Sequence, residues 1–176
     1  FVSLSCITTI YLLFGDNQYL NFYEELEKDI ETSAEIDPEK FIILLERKIK
    51  QNPIDLESIQ ILARTCFLTG YIQKANLYYN MALDYFPANE KLLFEVVIFK
   101  KTTKDAKGAL ISAEKLVEKN PTKSENIILL IDVYLDLRMI QKAEDKLLKL
   151  QKLSKNQVLI EKIESKIADF YESSKK

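Results

Sequence analysis

Three prolines set a ruler along this chain. Pro53, Pro87 and Pro121 stand thirty-four residues apart, and each closes a stretch rich in Leu, Ile, Lys and Glu. A segment of that length cannot bury a core alone, so recurring segments must stack on their neighbours. Glycine and proline are scarce, three and four in 176 residues, which argues against a β-sandwich built on frequent turns. Val is rare beside Leu, Ile, Lys and Glu, which favours helix. With 47% apolar and 30% charged residues the chain is globular rather than disordered.

The best copy is DLESIQILARTCFLTGYIQKANLYYNMALDYFPANE. Counted back from Pro87, its special positions carry Ile59, Leu62, Ala63, Cys66, Gly70, Ala75, Tyr79 and Ala82. The physics of two packed helices accounts for them. Ala63 and Ala75 permit close approach, larger apolar residues fill the layer between, Gly70 permits the turn, and Pro87 ends the unit. This pattern resembles the tetratricopeptide repeat (TPR) family, with Ile59 in place of the first aromatic and Cys66 in place of the usual Tyr.

Two further copies are more degenerate. NEKLLFEVVIFKKTTKDAKGALISAEKLVEKNP keeps Leu93, Val96, Val97 and Ala109, but its turn, TTKD, has no glycine. SENIILLIDVYLDLRMIQKAEDKLLKLQKLSK keeps Tyr134 and Ala143, and Lys155 stands where a closing proline would fall. Beyond it, NQVLIEKIESKIADFY places Leu159, Ile163 and Ile167 on one stripe, as a capping helix requires. Upstream, DPEKFIILLERKIKQNP reads as the second helix of a half repeat, with Asp37 as N-cap and Pro38 in the first helical position. The repeat array is expected over 38–155 and the capping helix over 156–173.

In a TPR array the first helix of each hairpin lines the inner face, and the resemblance implies a groove that takes a protein helix. The inner positions are Gln60, Arg64, Phe67 and Leu68 in the first repeat, Phe94, Ile98 and Lys101 in the second, and Ile128, Asp132, Leu135 and Asp136 in the third. Two readings stay open: these residues contact a partner, or several of them pack between adjacent inner helices. The pocket by which some TPR proteins grip a C-terminal carboxylate is not expected. Gln60 and Arg64 occupy its first pair of positions, and Glu95 and Glu125 stand where Asn and Lys belong.

Little else points to chemistry. The chain has no His, which removes His-based triads, imidazole metal ligands and His general bases. Cys6 and Cys66 form no CxxC. Asp132 and Asp136, four apart on one helix, could serve as paired carboxylates or attract a Lys-rich ligand, but no nucleophile or phosphate loop accompanies them. Cys66 reads as a core thiol, and Tyr78, Tyr79 and Tyr85 as packing. No catalytic residue, cofactor or metal site is expected, and the protein is not expected to be an enzyme.

The leader FVSLSCITTIYLLFG is uncharged from Phe1 to Phe14. Fourteen helical residues rise about 21 Å against a hydrocarbon core of roughly 30 Å. The segment lacks a basic n-region. The simplest expectation is that 1–14 is the end of a transmembrane helix; a buried soluble helix is the alternative. Residues 15–37 read as an acidic tether. From Asp16 to Lys40 nine acids face two lysines, so the segment nets −7 and the rest of the chain, starting from an overall −2, nets +5. That excess is too dispersed for a nucleic-acid footprint. A flank with no Lys or Arg before Lys28 reads as the far side of the membrane.

The fold expected is thus all-α: a solenoid of TPR-type hairpins with a capping helix, preceded by the end of a membrane helix. YLLFGDNQYL, then QNPIDLES, then LTGYIQKANLYYNMAL, resembles the TPR subunit family of the bacterial cytochrome c maturation system. That resemblance implies a chaperone at the inner membrane with its TPR domain in the periplasm. It would bind the C-terminal helix of apocytochrome c, meet other maturation subunits, and carry no cofactor. A generic TPR scaffold in envelope assembly is the alternative.

Overall fold

The computed structural model describes residues 38–174, in which there are eight helices and no strand. They are α1 (Pro38–Gln51), α2 (Leu56–Leu68), α3 (Ile72–Tyr85), α4 (Glu90–Thr102), α5 (Ala106–Lys119), α6 (Ser124–Asp136), α7 (Ile140–Leu153) and α8 (Gln157–Ser174). The leader 1–14, the tether 15–37 and the N-cap Asp37 lie outside the described residues. Among the described residues no helix is long and apolar enough to cross a membrane. The chain divides between Tyr85 and Phe86 into two compact units, the first holding α1–α3 and the second α4–α8.

The period read from the prolines governs every boundary. The inner helices α2, α4 and α6 begin thirty-four residues apart, as do the outer helices α3, α5 and α7. Pro38–Gln51 lies one period before Ile72–Tyr85, so α1 is the outer helix of a preceding repeat.

The inner helices start on side-chain caps where the sequence offers them. Asp55 accepts from the Ser58 N–H at 3.2 Å and Asn89 from the Leu92 N–H at 2.9 Å, whereas Lys123, at the third such position, supplies no side-chain cap. Each cap satisfies one amide that the first turn leaves unpaired, worth about 1 kcal/mol.

The inner helices end alike. Tyr71, Asp105 and Met139 each donate an N–H to Cys66, Lys100 and Tyr134, at 2.8 Å in all three cases. The residue before each is left-handed: Gly70 at φ +83°, Lys104 at +61° and Arg138 at +56°. This is the Schellman closure, which reverses the chain while satisfying the last carbonyls.

In the first unit, Ile42, Leu45 and Ile49 of α1 are buried, with Ile59, Leu62, Ala63 and Cys66 of α2 and Ala75, Tyr79 and Ala82 of α3. In the second unit Ala109, Ala113 and Leu116 of α5 and Ala143, Leu147 and Leu150 of α7 recur at the positions of α3's three. Small residues at 75, 109 and 143 hold each outer helix close to the inner helix before it. A buried Leu or Ile contributes roughly 1.5–3 kcal/mol over an exposed one.

Helix α8 packs on α7 and starts one residue before the period would place it. Asn156 sets that start by accepting from the Leu159 N–H at 3.1 Å. The buried stripe is accordingly Ile160, Ile163 and Ile167, with Leu159 only half-buried. One polar core group stands out. Asn126 is fully buried, its amide nitrogen donates at 3.4 Å to Glu90 and to the Leu116 carbonyl, and its Oδ1 has no hydrogen-bond partner among the described residues.

Candidate functional site

The candidate face is the exposed side of the inner helices, taken one unit at a time. In the first unit Gln60, Arg64, Phe67 and Leu68 share one face of α2 through their i, i+4, i+7, i+8 spacing. Gln60 is buried, and the other three are half-buried. In the second unit Phe94 and Lys101 of α4 and Ile128 of α6 are half-buried, Ile98 and Asp132 are buried, and Asp136 is exposed. Leu135 has no accessible surface; it belongs to the core rather than to a groove wall.

Charge pairs set the spacing of the inner helices in the second unit. At their C-terminal ends Lys101 Nζ lies 2.6 Å from Asp136, and at their N-terminal ends Lys123 Nζ lies 2.6 Å from Glu90. The two pairs therefore brace α4 and α6, which run in the same direction. Lys166 of α8 lies 2.6 Å from Asp132, tying α8 to α6. Such partly exposed pairs contribute about 0–1 kcal/mol each, so they orient the helices more than they stabilise them. The Lys123 ammonium holds the Glu90 carboxyl below the usual carboxylate range.

These pairs change what Asp132 and Asp136 can do. Both carboxylates already hold a lysine of this chain, which weakens their pull on a Lys-rich ligand, and each pairs with a different lysine rather than sharing a proton with the other. Lys166 is absent from the residues that the sequence picks out, yet a signal for it exists. It lies one period after Asp132, so extending the ruler into α8 puts the two on neighbouring inner helices. Glu95, one of the residues opposing a carboxylate clamp, is buried.

The remaining candidates fall in packing roles, except Tyr85, whose expected packing role its exposure contradicts. Cys66 has no accessible surface, and burial pushes its thiol up to about 11, so it stays protonated at neutral pH and is a poor nucleophile. Tyr79 is core. Tyr78 donates to Glu46 at 2.8 Å, and Lys74 reaches the same carboxylate at 2.9 Å, which fastens α3 to α1 on the outer side of the first unit. The Lys74 ammonium, followed by the Tyr78 hydroxyl, holds Glu46 below its ordinary range; burial, followed by Glu46, pushes the Tyr78 phenol up. Tyr85 is exposed. Among the described residues no group of His, Cys, Asp or Glu could hold a metal ion.

Solved structures share this architecture. A tetratricopeptide repeat protein from Parabacteroides merdae superposes with a TM-score of 0.67 at 23% identity, over 86% of this chain and 62% of that one. MamA from AMB-1 gives 0.62 at 19% identity, over 90% and 84%. A thermophilic TPR protein of Thermus thermophilus, TTC0263, gives 0.52 at 21%, over 86% and 82%. The chain thus spans about 62% of the Parabacteroides protein's length. No protein-family profile and no characterised protein sequence matches the chain. Together with the thirty-four-residue period, these likenesses define the class: this is a protein of the tetratricopeptide repeat fold, an architecture of stacked helical hairpins.

Proposed function

We propose that the protein is a non-catalytic binding scaffold whose inner helices receive an amphipathic helix of a partner protein. One observation carries this reading. In the second unit the inner positions that remain partly open include the apolar Phe94 and Ile128, while the acids at Asp132 and Asp136 are held by lysines of the chain itself. The preferred ligand is therefore an apolar helix face with few charges, not a Lys-rich one. Peptide helices titrated into the full chain test this. Phe94→Ala with Ile128→Ala should weaken binding about tenfold or more, because aromatic and apolar anchors dominate such contacts. Unchanged affinity in a folded double variant overturns it.

A narrower reading follows from the resemblance of YLLFGDNQYL and the repeats behind it to the cytochrome c maturation subunit. In it the leader anchors the chain in a bacterial inner membrane, the repeats face the periplasm, and the ligand is the C-terminal helix of apocytochrome c. The acidic flank before Lys28 supports that orientation. Binding of the full chain to apocytochrome c is expected to exceed binding to holocytochrome and to unrelated amphipathic helices. Equal affinity for all three removes the narrower reading and leaves the scaffold, serving some other assembly in the envelope.

A further inference from the structure

Helix α1 turns a cationic and apolar side to solvent. Lys40, Ile43, Leu44, Arg47 and Lys50 recur at helical spacing, so they share that side. Ile43 is 54% and Leu44 51% exposed, and the three cations are exposed as well. Neither Lys40 nor Arg47 has a hydrogen bond or ion pair among the described residues, and Lys50 adds only a minor pull on Glu46. Lys48 is held by Asp55 at 3.2 Å and takes no part. Both acids of α1 are engaged elsewhere. Glu39 accepts from the Tyr71 hydroxyl at 2.7 Å, and Glu46 is the carboxylate that Lys74 and Tyr78 of α3 already occupy. Helix α3 repeats the apolar position beside it: Leu77 stands one period after Ile43 and is 60% exposed. Its exposed neighbours Gln73 and Asn80 are uncharged, and the one acid of α3, Asp84, lies two turns further on.

We propose that this side of α1, with Leu77 of α3, docks on a membrane surface of anionic phospholipid. Charge complementarity selects the occupant. Lys40, Arg47 and Lys50 frame the apolar residues, and both acids of α1 are already taken by groups of the chain. Side chains of this kind divide at a headgroup layer. Ile43, Leu44 and Leu77 enter the acyl boundary, while the Lys and Arg stems extend and hold their charges at the phosphates. Shape selects a membrane over an acidic protein helix. A helical ligand needs a groove with two walls, whereas the crease between α1 and α3 is bridged by Glu46 with Lys74 and Tyr78. What remains is a ridge, which suits a planar partner. The docking is peripheral, uses no residue of the inner helices, and stands whether or not those helices receive a peptide.

Leu44→Trp in the full chain, which has no Trp of its own, reports the docking. Its emission in buffer should be that of an exposed indole. It should move blue on vesicles of phosphatidylglycerol mixed with phosphatidylcholine, and stay in place on phosphatidylcholine alone. In that background Lys40→Gln with Arg47→Gln should lower the ratio of docked to undocked indole about twenty-five-fold, since each cation near an anionic surface contributes about fivefold. An unchanged urea midpoint verifies that these variants fold. Salt at about 1 M, which cuts the screening length to about 3 Å, should reverse the shift with no charge replaced. An emission that anionic vesicles leave unmoved overturns the proposal. So does an equal shift on neutral vesicles, which means that the apolar leader and not the charge of α1 draws the chain to lipid. An emission already blue in buffer overturns it too, because another part of the chain or a second copy then covers the side. So does a larger shift with an acidic amphipathic peptide than with vesicles, which assigns the side to a protein helix.

Discussion

The turn of the first repeat and those of the second and third have one shape and three different residues. Gly70, Lys104 and Arg138 all sit at positive φ, one period apart, and each is followed by the same 2.8 Å closure. Glycine adopts this region without penalty, while an L-residue with a side chain loses roughly 1–2 kcal/mol there. Two of the three turns therefore carry strain. What imposes the shape is the packing of one helix back on the other, since Ala109 and Ala143 are fully buried against α4 and α6 just as Ala75 is against α2. Tertiary contact overrides local preference wherever the hairpin's apolar face outweighs a turn's strain.

The largest effect in this comparison belongs to Gly70. Nothing lies within 4 Å of a Cβ built there, so Gly70→Ala introduces backbone strain and no clash. The strain, roughly 1–2 kcal/mol, is offset in part by the lower freedom of Ala in the unfolded chain, about 0.5–1 kcal/mol, so a net loss of about 1 kcal/mol is expected, readable by urea unfolding. An unchanged midpoint means the first turn is as tolerant as the other two, and the glycine is incidental.

Next comes the start of α5. Asp105 accepts from the Gly108 N–H at 2.9 Å and from Lys100 Nζ at 2.9 Å. A Cβ on Gly108 would lie 2.4 Å from Asp105 Oδ2, so the Asp105 carboxylate must shift from its present position to admit a side chain at 108. Asp105→Ala should cost about 1 kcal/mol. Gly108→Ala should be near neutral in the native chain, where the gain in helix propensity is offset by the displaced Asp105 cap and its Lys100 pair, but should gain about 1 kcal/mol once Asp105 is Ala. Equal effects in both backgrounds break the coupling.

Acid separates the caps as well. Hydrogen bonds from Ser58 hold Asp55 below the ordinary carboxylate range, and Lys100 then Gly108 do the same for Asp105. A lowered folded pKa means the stabilisation is present above the unfolded value, near 4, and is lost as pH falls through the lowered one. In an NMR titration the amides of Ser58 and Gly108 should shift below about pH 4, while that of Leu92, capped by Asn89, should not.

Buried position 58 and its equivalents allow a smaller swap between repeats. Ser58, Leu92 and Asn126 are all buried there, but Asn126 alone has an unsatisfied oxygen. Asn126→Leu copies the second repeat into the third. Lys123 still serves Glu90, and Asn120 still donates to the Leu116 carbonyl, so no new orphan is made. A gain of up to about 1 kcal/mol is expected in thermal unfolding. A loss would show that an internal water serves Oδ1.

Much of the fold was legible because it is periodic. The prolines at 53, 87 and 121 placed six helices, and the alanines at 75, 109 and 143 placed their close contacts. What escaped had no periodic mark of its own. A Lys or an Arg does not announce a left-handed turn, and α8 slips the period by one residue on Asn156. The candidate face was legible only as positions. Nothing in the amino-acid pattern marks Leu135 as fully buried, because an apolar residue on an inner helix reads the same in core and groove. The pairing of Asp132 with Lys166 crosses from the third repeat to the cap, beyond where the ruler was laid.

The smallest predicted effects return to the strained turns. Lys104 and Arg138 are exposed, so replacing either by Gly removes little packing. Relief of left-handed strain, roughly 1–2 kcal/mol, is opposed by the greater freedom of Gly in the unfolded chain, about 0.5–1 kcal/mol. Each substitution should therefore gain about 0.5 kcal/mol or slightly more. The turns lie in different hairpins thirty-four residues apart, so the double variant should add the two gains. Destabilisation by Lys104→Gly would show that its stem packs on the turn and offsets the strain. Gly70 would then be the exception among the three turns, and the left-handed site would owe its residue to local packing rather than to backbone freedom.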